Sequence, residues 1–162
     1  MSSAILVGDY IVASGEGRYT PMQVLKLAYI GHGFSLAINE KPLFHDRIEA
    51  WKYGPVIPNL YRIISKYKGD PIPRMYICNS PVGSAVATER KRHLGDMLDE
   101  NKKVLDDVLD GYGKYDGLEL SDITHAKGSP WDYCFDPNDL NKEIPNKVIK
   151  EYYMAKLKRN KA

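Results

Sequence analysis

The sequence predicts a mainly α protein: one compact helical domain of about six helices joined by proline-rich loops, with at most a small β element. Three observations predict it. Apolar residues recur at helical spacing in separate stretches between Ala4 and Lys158. The prolines fall between those stretches or at their starts, where a helix tolerates them. At 162 residues, with 43% apolar and 27% charged, the chain has the length and composition of one globular domain, taken as residues 1–162. A chain this long buries roughly 70% of the surface its unfolded form exposes, so it needs no metal or disulfide staple, and no cofactor is expected.

The elements follow in order. Ala4 to Ala13 carries Ala4, Val7 and Ile11, and again Leu6, Tyr10 and Ala13, at helical spacing. After the loop Ser14 to Tyr19, Thr20-Pro21-Met22-Gln23 supplies a cap, a proline for the first helical position and a glutamine three residues past the cap. The helix it opens is predicted to reach about Asn39; because it is apolar nearly all round, it should be the central one. Gly31 and Gly33 flank His32 inside it. Each glycine costs about 1 kcal/mol relative to alanine in a helix interior, which predicts a close neighbour there.

Pro42 to Pro58, with three prolines and Gly54, reads as an ordered loop with one short helical turn. Ile57, Leu60, Tyr61 and Ile64 then define a helix ending before Gly69 and Pro71. Pro71 to Arg92 fits a linker or a small hairpin, and Leu94 to Tyr112 a surface-packed helix. Ser121 is read as the cap of a short helix, Asp122 to Lys127, ended by Gly128 and Pro130. The last helix, Ile144 to Lys158, starts at Pro145 and should bury Ile144, Val148, Ile149 and Tyr152.

Reactive chemistry is sparse. Cys78 and Cys134 lie far apart and read as two buried thiols. No basic n-region with an apolar h-region opens the chain, and no apolar run reaches about 18 residues, so a cytoplasmic protein that does not engage membranes is expected. Net charge is +2, with basic runs only at Arg90 to His93 and Lys156 to Lys161; nucleic acid is not excluded as a partner, but the charge does not announce it. Glycine-rich phosphate loops are absent. His32, His125 and Glu49 are the residues from which a metal site or proton relay would be built, yet they sit on three separate elements without an H-E-x-x-H or H-x-E signature. Cys134 with His125 is weaker still, since a proline-containing turn separates them. No catalytic residue and no metal ligand is assigned. Aromatic residues are more informative: tyrosine supplies 12 of 162 residues, and Tyr29, Trp51, Tyr53, Tyr61, Trp131 and Tyr133 gather in or beside loops and helix ends, where such side chains serve either as core or as contact surface.

Three stretches carry a resemblance. They are Lys26-Leu27-Ala28-Tyr29-Ile30-Gly31-His32-Gly33-Phe34; Glu49-Ala50-Trp51-Lys52-Tyr53-Gly54-Pro55-Val56-Ile57-Pro58-Asn59-Leu60-Tyr61; and Leu120-Ser121-Asp122-Ile123-Thr124-His125 with Pro130-Trp131. In this order and spacing, over about residues 4–155, the chain resembles the Panacea domain of SocA-like antitoxins, a family also found in phages and mobile elements. The E-A-W-x-x-G-P-V block is its most specific part. The resemblance implies an antitoxin, not an enzyme, that neutralises a cognate protein toxin, often a translation inhibitor, by direct contact. In one branch the antitoxin also acts as an adaptor delivering its toxin to a protease or its unfoldase. The candidate toxin-binding residues it marks out are Lys26, Tyr29, His32, Glu49, Trp51, Tyr53, Tyr61, Thr124, His125 and Trp131, with a structural ion pair expected between Glu49 and Lys26 and toxin choice expected in Pro71 to Arg92. A metal- or histidine-dependent hydrolase and a nucleic-acid-binding regulator are the alternatives.

Overall fold

The computed structural model describes residues 3–73 and 97–161. Among them are seven α-helices: α1 Ala4–Ser14, α2 Pro21–Ile38, α3 Pro58–Ile64, α4 Asp99–Tyr112, α5 Gly117–Thr124, α6 Pro130–Cys134 and α7 Asn146–Lys161. A small antiparallel sheet, order β2-β1-β3, is built from β1 Glu49–Trp51, β2 Gly54–Val56 and β3 Lys142–Glu143. The mainly α expectation holds. No described helix is long and apolar enough to cross a membrane.

Helix α2 organises the rest, and α1, α4, α5 and α7 all pack on it. Its start is the capping box read in the sequence: the Gln23 amide donates to the Thr20 hydroxyl at 3.4 Å, and the Thr20 N–H donates to the Gln23 side chain at 2.9 Å. Fourteen of its 18 residues are buried, so it has no solvent face. The glycines have the expected close neighbours: a Cβ on Gly33 would stand 2.4 Å from the Tyr153 ring of α7, and one on Gly31 2.9 Å from a Leu105 methyl of α4.

Five elements depart from expectation. Residues 49–56 form a hairpin, not a helical turn; Trp51 pairs with Gly54, so Lys52 and Tyr53 alone close it. Gly54 sits at φ +116°, and a Cβ there would meet the Lys26 amine at 2.7 Å, which fixes glycine at this corner twice over. Helix α4 begins at Asp99, with Leu98 at its cap position, later than the apolar spacing from Leu94 suggests. Helix α5 begins at Gly117, capped by Asp116 and Glu119 in a second capping box; Ser121 lies inside it. Ser129 and Pro130 open α6 where the sequence reading saw only a helix end. In the last helix Ile149 and Tyr153 are the deeply buried positions, while Tyr152 is half-buried. Ile72 is buried and donates its N–H to the Tyr19 carbonyl at 2.8 Å. Beyond Pro73, the proposed toxin-choice loop, Cys78 and the Arg90 to His93 run lie outside the described residues.

Candidate functional site

The hairpin is held from below and left open above. From below, Lys26 of α2 is buried and its amine donates to the Pro55 carbonyl at 2.9 Å and the Tyr53 carbonyl at 3.3 Å. The Ser121 hydroxyl of α5 donates to the same Tyr53 carbonyl at 2.8 Å. No described carboxylate forms an ion pair with Lys26. Burial of the ammonium therefore goes uncompensated by an opposite charge and pulls its pKa down to about 7. The expected Glu49–Lys26 pair is not formed. Glu49 instead accepts from Arg47 at 3.3 Å and from the Trp51 indole N–H at 3.2 Å. Opposite charge alone did not choose the partner, because two backbone carbonyls at the hairpin corner lie within reach of the amine.

Around the hairpin, aromatic rings form a ledge of two groups joined by a hydrogen bond. Trp51 meets Tyr61 edge-to-face at 5.1 Å. The Trp131 indole N–H donates to the Trp51 carbonyl, Trp131 stacks on Phe135 at 4.6 Å, and His125 meets Trp131 edge-on at 5.3 Å. Each such aromatic contact contributes about 0.5–1.5 kcal/mol beyond area burial, so the ledge is stiff. Tyr61 is 40% exposed, and Tyr53, on the hairpin turn, is 64% exposed. Lys52, exposed, lies 5.3 Å over the Tyr53 ring.

The ten candidate residues thus divide. Trp51, Tyr61, His125 and Trp131 form the ledge, Tyr53 stands on the hairpin turn, and Glu49 accepts the Trp51 indole N–H. Lys26 and Thr124 lie under the hairpin; the Thr124 hydroxyl donates back to the Leu120 carbonyl at 2.8 Å. Tyr29 and His32 are elsewhere, inside the core. Tyr29 is 1% exposed, packs edge-on against Tyr153, and its hydroxyl has no hydrogen-bond partner among the described residues; burial raises its pKa well above the usual phenol range. His32 stacks on Phe44 at 4.3 Å. Its Nδ1 accepts the Leu43 N–H at 3.3 Å, which leaves the proton on Nε2 to donate to Asn146 at 2.8 Å. The ring therefore ties α2 to α7, and burial holds its pKa down to about 4 against the opposing pull of the Asn146 bond.

The trio His32, His125 and Glu49 is not brought together as a site. Both ring nitrogens of His32 are engaged, Glu49 is engaged by Arg47 and Trp51, and His125 Nδ1 contacts the Ser121 carbonyl. Among the described residues no group of three or more His, Cys, Asp or Glu side chains has the spacing of a metal site. Cys134 is buried, and burial pushes its thiol pKa up, opposite to what a nucleophile requires. Sequence reasoning missed Ser121, Phe135 and Asn146 as partners. The first two carried a signal, Ser121 as part of a quoted block and Phe135 as an aromatic four residues after Trp131, just past the helix end; Asn146 carried none, since 114 residues separate it from His32.

A model of the family described as "Antitoxin SocA-like, Panacea domain" matches residues 24–132, a span that contains the hairpin, its lysine and the ledge as far as Trp131. The chain is 31% identical to the protein named "Antitoxin SocA" of Caulobacter vibrioides (strain NA1000 / CB15N) over 133 residues, covering 79% of this chain and 68% of that protein. No solved structure matches the chain.

Proposed function

Since the chain belongs to the SocA-like Panacea antitoxin family, we propose that it neutralises a cognate, translation-inhibiting protein toxin by direct contact, using the aromatic ledge around the hairpin and no chemical step. One observation carries this reading: Trp51, Tyr53 and Tyr61 stand partly exposed on the hairpin and on the helix that follows it, and the backbone of the hairpin corner is held by the buried Lys26 amine and the Ser121 hydroxyl. Tyrosine and tryptophan offer large contact area at little entropic cost, and a preorganised loop loses little freedom when a partner docks. Ledge and clamp have different duties in it. Tyr53, Tyr61, Trp51 and Trp131 touch the toxin; Lys26, Ser121 and Thr124 set where Tyr53 points.

The test is rescue of cells expressing the toxin together with co-purification. Tyr53→Ala is expected to weaken both while the thermal midpoint stays within about 2 °C, because a surface substitution away from packing features changes stability by only about 0.5 kcal/mol; Tyr61→Ala is expected to weaken both as well and, through the lost edge contact with Trp51, to cost about 0.5–1.5 kcal/mol of stability. Leu118→Ala, an exposed position at the start of α5, serves as the neutral control. If both tyrosine variants rescue and co-purify like the parent, the ledge is not the toxin contact. Delivery of the captured toxin to a protease would be a later step, and rescue in protease-deficient cells isolates neutralisation by binding alone.

A further inference from the structure

A second surface takes no part in the proposed toxin contact. Between α2, α4 and α7 runs a groove of about 260 Å³ lined by Phe34, Ile38, Val104, Val108, Tyr112 and Leu157. Ile38 is 53% exposed although its helix is otherwise buried, and Met154, one turn before Leu157, is exposed as well. The two walls carry opposite charge. On α4, Glu100, Asp107 and Asp110 follow one flank at helical spacing and Asp107 itself lines the groove; Lys103 pairs with Asp107 at 3.2 Å and Lys41 with Glu100 at 3.6 Å, so against these two bases the three acids leave the flank one negative charge in excess. On α7, Lys150 and Lys158 share the stripe of Met154 and Leu157, and Lys156 lies over the Tyr112 ring at 5.6 Å; Glu40 pairs with Lys150 at 3.5 Å, so the three lysines keep two positive charges in excess.

We infer that this groove is the interface of a symmetric dimer of this chain. A partner of one charge sign would be drawn to one wall and repelled by the other, whereas a second copy presents both signs. Two kinds of two-fold axis lie in the plane of the groove mouth. An axis across the groove sets α4 against α4 and α7 against α7, acid on acid and base on base. An axis along the groove sets the acidic α4 wall against the basic α7 wall of the second copy, twice, and closes the exposed Ile38 and Met154 between the copies. Charge therefore selects the axis along the groove.

Sedimentation and light scattering on the full chain at rising concentration test this. The mass should move from 18.4 kDa toward twice that value, with a dissociation constant of roughly micromolar order. Ile38→Glu, at an exposed helix end, should weaken association at least tenfold without changing the melting curve. Asp107→Lys and Lys158→Glu should each weaken it, and the two together should recover most of the loss, because the exchanged charges then face one another across the copies. A parent chain that stays monomeric up to its solubility limit overturns the inference, as does a dimer that Ile38→Glu leaves intact. Failure of the charge exchange to recover association rejects the axis along the groove. A monomer whose toxin binding is lost in Ile38→Glu gives the groove to the toxin and likewise overturns the dimer.

Discussion

The two motif blocks on α2 and on the hairpin look alike in sequence, each mixing aromatics with glycine and a lysine, yet they have opposite fates. In residues 26–34 of α2 every side chain is buried, and the two charged or titratable nitrogen side chains are satisfied inward, Lys26 on hairpin carbonyls and His32 on Asn146 and Leu43, while the Tyr29 hydroxyl finds no partner among the described residues. In residues 49–61 the backbone is clamped at the Tyr53 and Pro55 carbonyls, while Tyr53 and Tyr61 are exposed and Trp51 is half-buried. A recurrent motif is thus no mark of contact by itself. The first block sets where the second one points.

Substitution should expose that division, most strongly at Trp51, where the two duties meet. Trp51→Ala removes the ring that touches Tyr61 and accepts no substitute for its bond to Glu49; it should abolish toxin co-purification and lower stability by about 2 kcal/mol, less than the 3–5 kcal/mol of a fully buried tryptophan. Urea denaturation and pull-down measure both. Gly33→Ala, on the buried side, should lower stability by about 1–3 kcal/mol through collision with the Tyr153 ring, leaving toxin affinity of the folded fraction unchanged. Alanine's better helix propensity returns only about 1 kcal/mol, so a Gly33→Ala protein more stable than the parent would mean that Tyr153 moves aside freely.

Smaller effects come from pH. His32 is neutral in the folded protein down to about pH 4 but takes a proton near 6.5 when unfolded, so the unfolded state binds more protons in that window. Stability is present in full above about pH 6.5 and is lost as pH falls toward 4; His32→Gln should flatten this part of the profile in urea midpoints. Lys26 follows the same rule higher up. Its folded pKa of about 7 lies below the 10.5 of a free lysine, so stability rises as pH climbs from 7 toward 10.5. Lys26→Met should remove that rise; if the slope persists in the variant, the amine is not the titrating group.

Much of the helical frame was legible in the sequence because caps are local. Thr20-Pro21-x-Gln23 carries its own geometry, and the same pattern stands in Asp116-x-x-Glu119 and Ser129-Pro130, where attention to Ser121 and to Pro130 as a breaker hid it. The hairpin was not legible: its strands are three residues long, Pro55 and Pro58 argue against regular structure, and its turn lacks the Asn-Gly or Asp-Gly signal. What fixes it is long-range, a lysine 29 residues before Pro55 and a serine 68 residues after Tyr53. The candidate residues were named as a set, but the structure divides them, because burial, which spacing does not encode for short elements, decides which of them a partner can touch.

The central claim, that the hairpin ledge is the contact and the α2 block its support, is tested most directly by amide hydrogen exchange of the chain with and without its toxin. Amides of residues 49–61 should slow on complex formation, most of all Lys52 to Gly54 at the turn, while those of residues 26–34, already protected in the α2 interior, should keep their rates. Slowing confined to other segments, with residues 49–61 exchanging as they do in the free protein, would contradict it.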